Sequence, residues 1–270
     1  MKLIESKVEV IEQQPGLDGV YKQIELAGRT CYKSEDKITE DSAKGFVDRM
    51  IKSKHGAMME HGTVYLSVPK EETEIIGFHG WCQYSKVRSD LVMEEPCNWL
   101  ITTNMRVLVE HDRLSDLKYI CEPTERHEKR ITVKFICDRA VAQEITRHRV
   151  MSFAMESQRY VGYDKERFGG EITFVKPHWY DEEFPACLTW VESLKESEKK
   201  YLELRKAGLK PQDARGVLPN ATKTEIVVTG FESDWEHFFD LRADGTTGAP
   251  HPDIKKLALE LQEKLNSVNK

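Results

Sequence analysis

The chain has no cysteine pair of the kind that holds zinc or exchanges disulfides. Its six cysteines, Cys31, Cys82, Cys97, Cys121, Cys137 and Cys187, are widely spaced without a C-x-x-C, so reduced and mostly structural thiols are expected. It also lacks an apolar run long enough to cross a bilayer, and the opening MKLIESKVEV has no signal-peptide core. The expectation is a cytoplasmic protein with no membrane partner. There is no dinucleotide-binding glycine fingerprint, no internal repeat and no linker long enough to divide the 270 residues. Nor is there an excess of positive charge. Forty basic against 46 acidic residues leave −6, which argues against a general polyanion or polynucleotide binder and for cations concentrated locally around a small ligand.

Such a concentration is present at residues 147–160, RHRVMSFAMESQRY. If the segment entering Arg147 is helical, successive side chains turn by about 100°, so Arg147, His148 and Arg149 reach different partners. If Ser157 to Tyr160 is extended, Ser157 and Arg159 share one side and Gln158 and Tyr160 the other. A hydroxyl beside a guanidinium fork suits a phosphate oxygen or a planar acceptor. Taken singly, each arginine can simply complement a helix dipole with its head in solvent. Taken together, roughly four cationic donors repel one another unless anions sit among them.

The surrounding chain is a mixture of strands and helices. Lys7 to Ile11 alternates like a strand, and Ile24 to Tyr32 leads through an AGRTCYKS turn region. Glu40 to Ser53 has helical spacing at Ala43, Phe46, Val47, Met50 and Ile51, and Thr63 to Val68 reads as a strand. Ile131 to Cys137 alternates strongly, Asp138 is placed to cap a helix ending near Arg147, and Thr224 to Thr229 is another strand. A long helix is predicted from about Glu182 to Lys206 with Leu188, Val191, Leu194, Tyr201 and Leu204 inward, and Pro211 opens a short turn carrying Arg215. Ser233 and Glu236 form an S-x-x-E capping box for a helix whose inward stripe is Trp235, Phe238, Phe239 and Arg242. A guanidinium on that stripe needs either Asp240 or Asp244 as a partner, or a bound substrate. Pro252 opens a last helix with Ile254, Leu257, Leu261 and Leu265 inward. Without a regular βαβ rhythm, the fold class is α+β, a mainly antiparallel central sheet flanked by helices, with no Rossmann domain. His55 and His61 bracket a carboxylate, Glu60, but no third ligand is near and the spacing fits neither a helical pair nor a finger, so no metal is expected.

Arg147-His148-Arg149, then seven residues, then Ser157 resembles the RHR-x7-S signature of the flavin-dependent thymidylate synthases. Other pieces of the chain agree in the same order. His55 and Glu60 match the family's H-G-x-x-x-E-H element, Ala214 to Pro219 its A-R-x-x-L-P element, and His237 to Ala243 its H-F-x-x-L-R-A element. Ala57 stands where a hydroxyl residue is usual, Phe231 where an asparagine is common, and Met155 near a ligand-contacting position. Residues from about 69 to 130 look like a subgroup insertion into a single domain spanning 1–270. Within it, Cys97 invites comparison with the nucleophile of flavin-free thymidylate synthases, but Asn98 stands where those have histidine, so Cys97 is read as structural.

The resemblance implies a methyltransferase forming dTMP from dUMP, with 5,10-methylenetetrahydrofolate as carbon donor and NADPH-reduced FAD as hydride source. It implies that Arg242 polarises the base, that His55, Glu60, Arg147, His148, Arg149 and His237 hold FAD, and that Glu144, Arg147, Ser157, Gln158, Arg159, Arg215 and Arg242 contact dUMP. Ser157 is then a nucleotide contact rather than a nucleophile, because no Asp-His pair is at hand to activate it. The family's assembly is a homotetramer with sites shared between subunits. Two other readings remain open: a flavin oxidoreductase acting on another nucleotide, and a non-enzymatic nucleic-acid-binding module, which predicts steeply salt-dependent binding.

Overall fold

The strand β9 (Lys223–Phe231) is buried along almost its whole length, with a hydrophobic core on each of its two faces. Its run of Ile226, Val227, Val228 and Thr229 is β-branched throughout, which suits a central strand covered on both sides. A computed structural model describes residues 1–92, 95–166 and 169–268, and the side chains of 90–97, Cys97 among them, lie outside what is described. β9 pairs antiparallel with β6 (Arg130–Asp138) and β7 (Ser152–Met155), and β2 (Lys7–Ile11) pairs antiparallel with β6, giving the order β2-β6-β9-β7. A second antiparallel sheet, β3-β5-β4, is built from β3 (Thr63–Pro69), β4 (Lys86–Val92) and β5 (Glu95–Asn104). β1 (Lys2–Ile4) and β8 (Thr173–Val175) form a short parallel pair. The architecture is α+β with antiparallel sheets flanked by helices, as the sequence patterning predicts.

Alternation along β9 sends its side chains into two different cores. Ile226 and Val228 join Val133, Phe135 and Cys137 of β6 against α5 (Arg139–Ile145), α8 (Glu232–Phe239) and α9 (Pro252–Val268). Val227 faces the other way, toward α1 (Gly16–Tyr32), α2 (Ser42–Lys52) and the second sheet. A third cluster joins Phe174 of β8 to Leu194 and Tyr201 of α6 (Pro185–Lys206) and to Ala214 at the end of α7 (Pro211–Ala214). α3 (Thr73–Trp81) and α4 (Met105–Glu110) complete the helices around the second sheet. No helix among the described residues is long and apolar enough to cross a membrane.

Four local expectations change. The AGRTCYKS stretch is helical through Tyr32, the end of α1, rather than a turn, and Lys33, which caps the helix, takes the left-handed conformation (φ 46°) without being glycine. An ion pair from Lys33 Nζ to Glu225 Oε1, 2.7 Å away on β9, anchors that residue from outside its own segment. Residues Ser157 to Tyr160 form a turn, not a strand: the N–H groups of Tyr160 and Val161 both donate to Ser157 O. Leu188 is 66% exposed, and Cys187, Leu194 and Tyr201 form the buried stripe of α6. α8 begins at Glu232, and Asp234 rather than Ser233 makes its capping bond, accepting from Phe231 N at 2.9 Å. The Ser233 hydroxyl instead donates to Glu128 Oε1 at 2.6 Å.

Candidate functional site

The strand-to-helix corner at the end of β6 sets the position of the RHR triplet. Asp138 accepts from Val141 N at 2.8 Å and so starts α5 where the patterning places it. The helix stops at Ile145 and the chain folds back tightly: Arg147 N donates to Glu144 O, His148 N to Ile145 O, and Met151 N to His148 O. In this turn Arg147 and Arg149 are exposed while His148 is 6% exposed, so the three side chains do part company.

The opposite wall comes from α8 and the π-helical turn Asp240–Asp244 that continues it. A single-turn π segment inserts one extra residue per turn, a distortion frequent at functional sites. It ends at Gly245 (φ 73°), where a Cβ would lie 2.9 Å from Pro250 Cδ and 3.1 Å from Gly248 O, so only glycine closes this corner. The loop beyond, Thr247 to Pro250, faces the RHR turn. Between them lies a cleft of about 580 Å³ edged by Arg147, His148, Arg149, His237, Arg242 and Asp234.

Arg242 is held across this cleft by the chain itself. Its Nη1 donates to Glu144 Oε2 at 2.9 Å, its Nη2 to Glu144 O at 3.2 Å and its Nε to His148 Nε2 at 3.2 Å. The sequence-level partners Asp240 and Asp244 are thus replaced by a carboxylate one element away. Since His148 Nε2 accepts, that nitrogen carries no proton and the ring is neutral. Burial, reinforced by the charge of Arg242 and then by His237 and Arg147, pulls the His148 pKa down to about 4. The crowding of cations inferred from the sequence is therefore relieved within the protein: one member is neutral, one is paired, and Arg147 and Arg149 extend toward solvent. The guanidinium groups of Arg147 and Arg149 have no hydrogen-bond or ion-pair partner among the described residues.

The remaining sequence-predicted residues do not line this cleft. Ser157 follows β7, its N–H donates to Cys31 O at 2.9 Å, and its hydroxyl accepts from Arg159 N at 3.3 Å. Among the described residues no imidazole or carboxylate bonds that hydroxyl. Arg159 is exposed and its Nε donates to Gln212 Oε1 at 3.2 Å, bringing it to α7, next to which the exposed Arg215 lies. Gln158 is 6% exposed, and its amide nitrogen is buried with no hydrogen-bond partner among the described residues. His55 is exposed just beyond α2, whereas Glu60 pairs with Arg106 beside a small depression of about 190 Å³ that Glu110 and His111 also line. Phe231 is turned inward, with Arg130 and Lys86 each 5.5 Å from its ring centre, and its N–H is already taken by Asp234. Sequence reasoning missed Asp234, the Thr247–Pro250 wall and the Glu144 clasp. Only the glycines of GTTG hinted at that wall.

Three sets of known proteins resemble this chain. The family model described as thymidylate synthase complementing protein matches residues 125–269, which hold the RHR turn, Arg215 and Arg242. The flavin-dependent thymidylate synthase of Pyrococcus abyssi is 36% identical over 106 residues, 39% of this chain and 43% of that protein. That of Mycobacterium tuberculosis is 37% identical over 141 residues, 48% of this chain and 54% of that protein. The chain thus spans about half the length of the curated relatives it matches. Among solved structures, the UMP/dUMP methylase PolB of Streptomyces cacaoi, bound with 5-Br dUMP, aligns over 99% of this chain and 93% of its own at 16% identity and a TM-score of 0.48. With more than half of its residues inside the family model, the chain belongs to the thymidylate synthase complementing protein family.

Proposed function

We propose that this protein is a flavin-dependent thymidylate synthase that methylates dUMP to dTMP, with 5,10-methylenetetrahydrofolate as carbon donor and FAD reduced by NADPH. The observation that carries the reading is the cleft, in which two guanidinium groups without partners among the described residues, Arg147 and Arg149, stand beside an Arg242 oriented by Glu144 and His148. This donor set fits FAD, since paired guanidinium forks match diphosphate oxygens and nothing lies within 4 Å of where a Cβ would stand on Gly248, leaving room for close approach. FAD, when bound, supplies the hydride.

The chain's own groups then act as follows. A guanidinium carries five N–H donors, and Arg242 spends three of them on Glu144 and His148. The two left over are fixed in direction and can polarise a uracil carbonyl, stabilising negative charge as it develops on the ring. Glu144 sets the orientation of that fork, and His148, neutral at pH 7, adds no competing positive charge. Ser157, with Arg159 and Arg215, serves as a nucleotide contact.

These groups and the His55 and Glu60 pair lie away from the cleft, which supports sites completed by neighbouring subunits in a homotetramer. One domain, with residues of about 69–130 inserted, is supported by Ile101 and Leu108 sharing a core with α1 and α2. The free thiols Cys31, Cys82, Cys121, Cys137 and Cys187 fit a reducing, cytoplasmic setting. The test is to purify the protein, record its visible spectrum, and assay dTMP with dUMP, methylenetetrahydrofolate and NADPH. A colourless protein that makes no dTMP after FAD is added overturns the proposal.

A further inference from the structure

Behind the wall of the cleft, three ligand-type side chains meet that no part of the proposed reaction uses. His178 comes from the segment after β8, His251 from the residue before α9, and Asp253 from the first turn of α9, and one ligand atom from each lies within 4.8 Å of the others. His178 Nδ1 is 3.3 Å from Asp253 Oδ1, and His251 Nδ1 is 3.7 Å from Asp253 Oδ2. The two imidazoles meet edge to face, with centres 5.5 Å apart and planes at 82°, so neither ring blocks the other's approach to a shared point. We propose that His178, His251 and Asp253 bind one divalent transition-metal ion, with Zn²⁺ the best chemical match, and that this ion clamps the loop forming the cleft wall.

Several features separate this cluster from ordinary surface hydrogen bonding. His251 Nδ1 accepts from Asp253 N at 3.3 Å, which holds the ring beside Asp253, and an ion would take that lone pair in place of the amide. Asp253 is fixed before any ion arrives, because its Oδ1 accepts from His178 N at 2.7 Å. Charge balance points the same way. Asp253 has no lysine or arginine partner among the described residues, and its ion-pair neighbours are the two imidazoles. A dication would balance that carboxylate.

Two histidines and a carboxylate with an open fourth position form a familiar zinc donor set, with bonds of about 2.0–2.2 Å and hence ligand atoms about 3.4 Å apart. The His178–Asp253 spacing already meets that figure. His251, 51% exposed at its side chain, can close the remaining distance by giving up its long bond from Asp253 N. Such an ion would tie Pro250 and the loop before it to the segment after β8, fixing one wall of the cleft without touching substrate. The two histidines are far apart in sequence, which is why no ligand spacing was visible there.

The test uses the full chain, stripped with a chelator and then dialysed against Zn²⁺ alone, with bound zinc counted by elemental analysis and affinity read by calorimetry. One ion per chain is expected. Changes beyond the direct ligands of metal sites typically weaken binding by about 10–100-fold, so His178→Ala and His251→Ala should each weaken it by no less than about tenfold. His111→Ala, at a histidine that packs on Phe78 instead, should bind zinc as the parent does. Asp253→Asn keeps the acceptor for His178 N and should fold while losing affinity, which separates loss of a ligand from loss of structure. Circular dichroism verifies the fold of every variant. Zinc should also slow amide exchange across residues 246–251 in the parent and not in His251→Ala. Failure of the parent to bind zinc stoichiometrically, or equal binding by folded His178→Ala and His251→Ala, overturns the proposal.

Discussion

Arg242 and Glu144 are joined twice, once through the carboxylate at 2.9 Å and once through the backbone carbonyl at 3.2 Å, so the last turn of α5 and the π turn after α8 are locked together at the head of the cleft. The guanidinium is 16% exposed and the carboxylate 28%. Removing the arginine leaves Glu144 able to reach water but deprives His148 Nε2 of its donor, so the structural cost is moderate, about 1–3 kcal/mol. The chemical cost is larger if these donors stabilise charge on the pyrimidine, where losing one preorganised donor costs about 100–1000-fold in rate. Arg242→Ala should therefore lose dTMP formation by at least about 100-fold while keeping bound flavin, checked by product chromatography beside a visible spectrum. Normal turnover would remove Arg242 from its role. Arg242→Lys should not restore it, since a point charge cannot reproduce the three-way fork.

Two buried histidines make stability depend on pH in a calculable direction. His148 is held near a pKa of about 4 and His61 near about 3, in each case chiefly by burial and next by a neighbouring arginine, against an ordinary value of 6.5. Both folded pKa values are depressed, so the unfolded chain binds more protons between about pH 6.5 and those values. Stability is then complete above pH 6.5 and falls as pH drops toward 4, each histidine contributing a slope of about 1.4 kcal/mol per pH unit. His148→Gln keeps an acceptor for Arg242 Nε and removes one titrating group. Urea unfolding between pH 6 and 4.5 should show that variant's slope reduced by about one proton. An unchanged slope would mean that His148 is protonated or solvated in the native protein.

How much of this was readable beforehand depended on whether the cause lay within the segment. β6 was legible because Ile131, Val133, Phe135 and Cys137 alternate, and α5 because Asp138 sits at its start. α9 was legible because Ile254, Leu257 and Leu261, all fully buried, keep helical spacing. The end of α1 was not, because a lysine occupies the left-handed position that glycine usually fills and is anchored by Glu225 on a distant strand. For α8, Ser233 fits a start signal, but its hydroxyl goes to Glu128 on another segment and Asp234 makes the capping bond instead. The Arg242 stripe was correctly placed inward, but its partner Glu144 lies 98 residues away, beyond any local pattern.

Ser157 is a case where position argues for binding and against covalent chemistry. Its hydroxyl accepts from Arg159 N within a turn, and no general base adjoins it among the described residues. A lost neutral hydrogen bond is worth about 1 kcal/mol, or roughly fivefold in affinity. Ser157→Ala should raise the KM for dUMP by about that factor and leave kcat within about threefold. Steady-state assays over a range of dUMP decide it: a folded variant with no turnover at saturating dUMP would instead place the serine in the bond-making step.

Gly28 and Gly77 allow a paired test of the packing that supports the second core. Both are helical, and replacing glycine by alanine in an open helix gains up to about 1 kcal/mol. At Gly77 in α3 nothing lies within 4 Å of the added Cβ, so Gly77→Ala should stabilise by about that amount. At Gly28 in α1 the Cβ would come within 2.8 Å of Phe46 Cε1, on an aromatic ring of α2 that is 5% exposed and has no room to retreat. Forcing extra volume into a packed core costs about 1–3 kcal/mol, which outweighs the helical gain. Gly28→Ala should therefore lower the urea midpoint while Gly77→Ala raises it. Equal shifts in the same direction would show that α1 and α2 do not meet as closely as this contact requires.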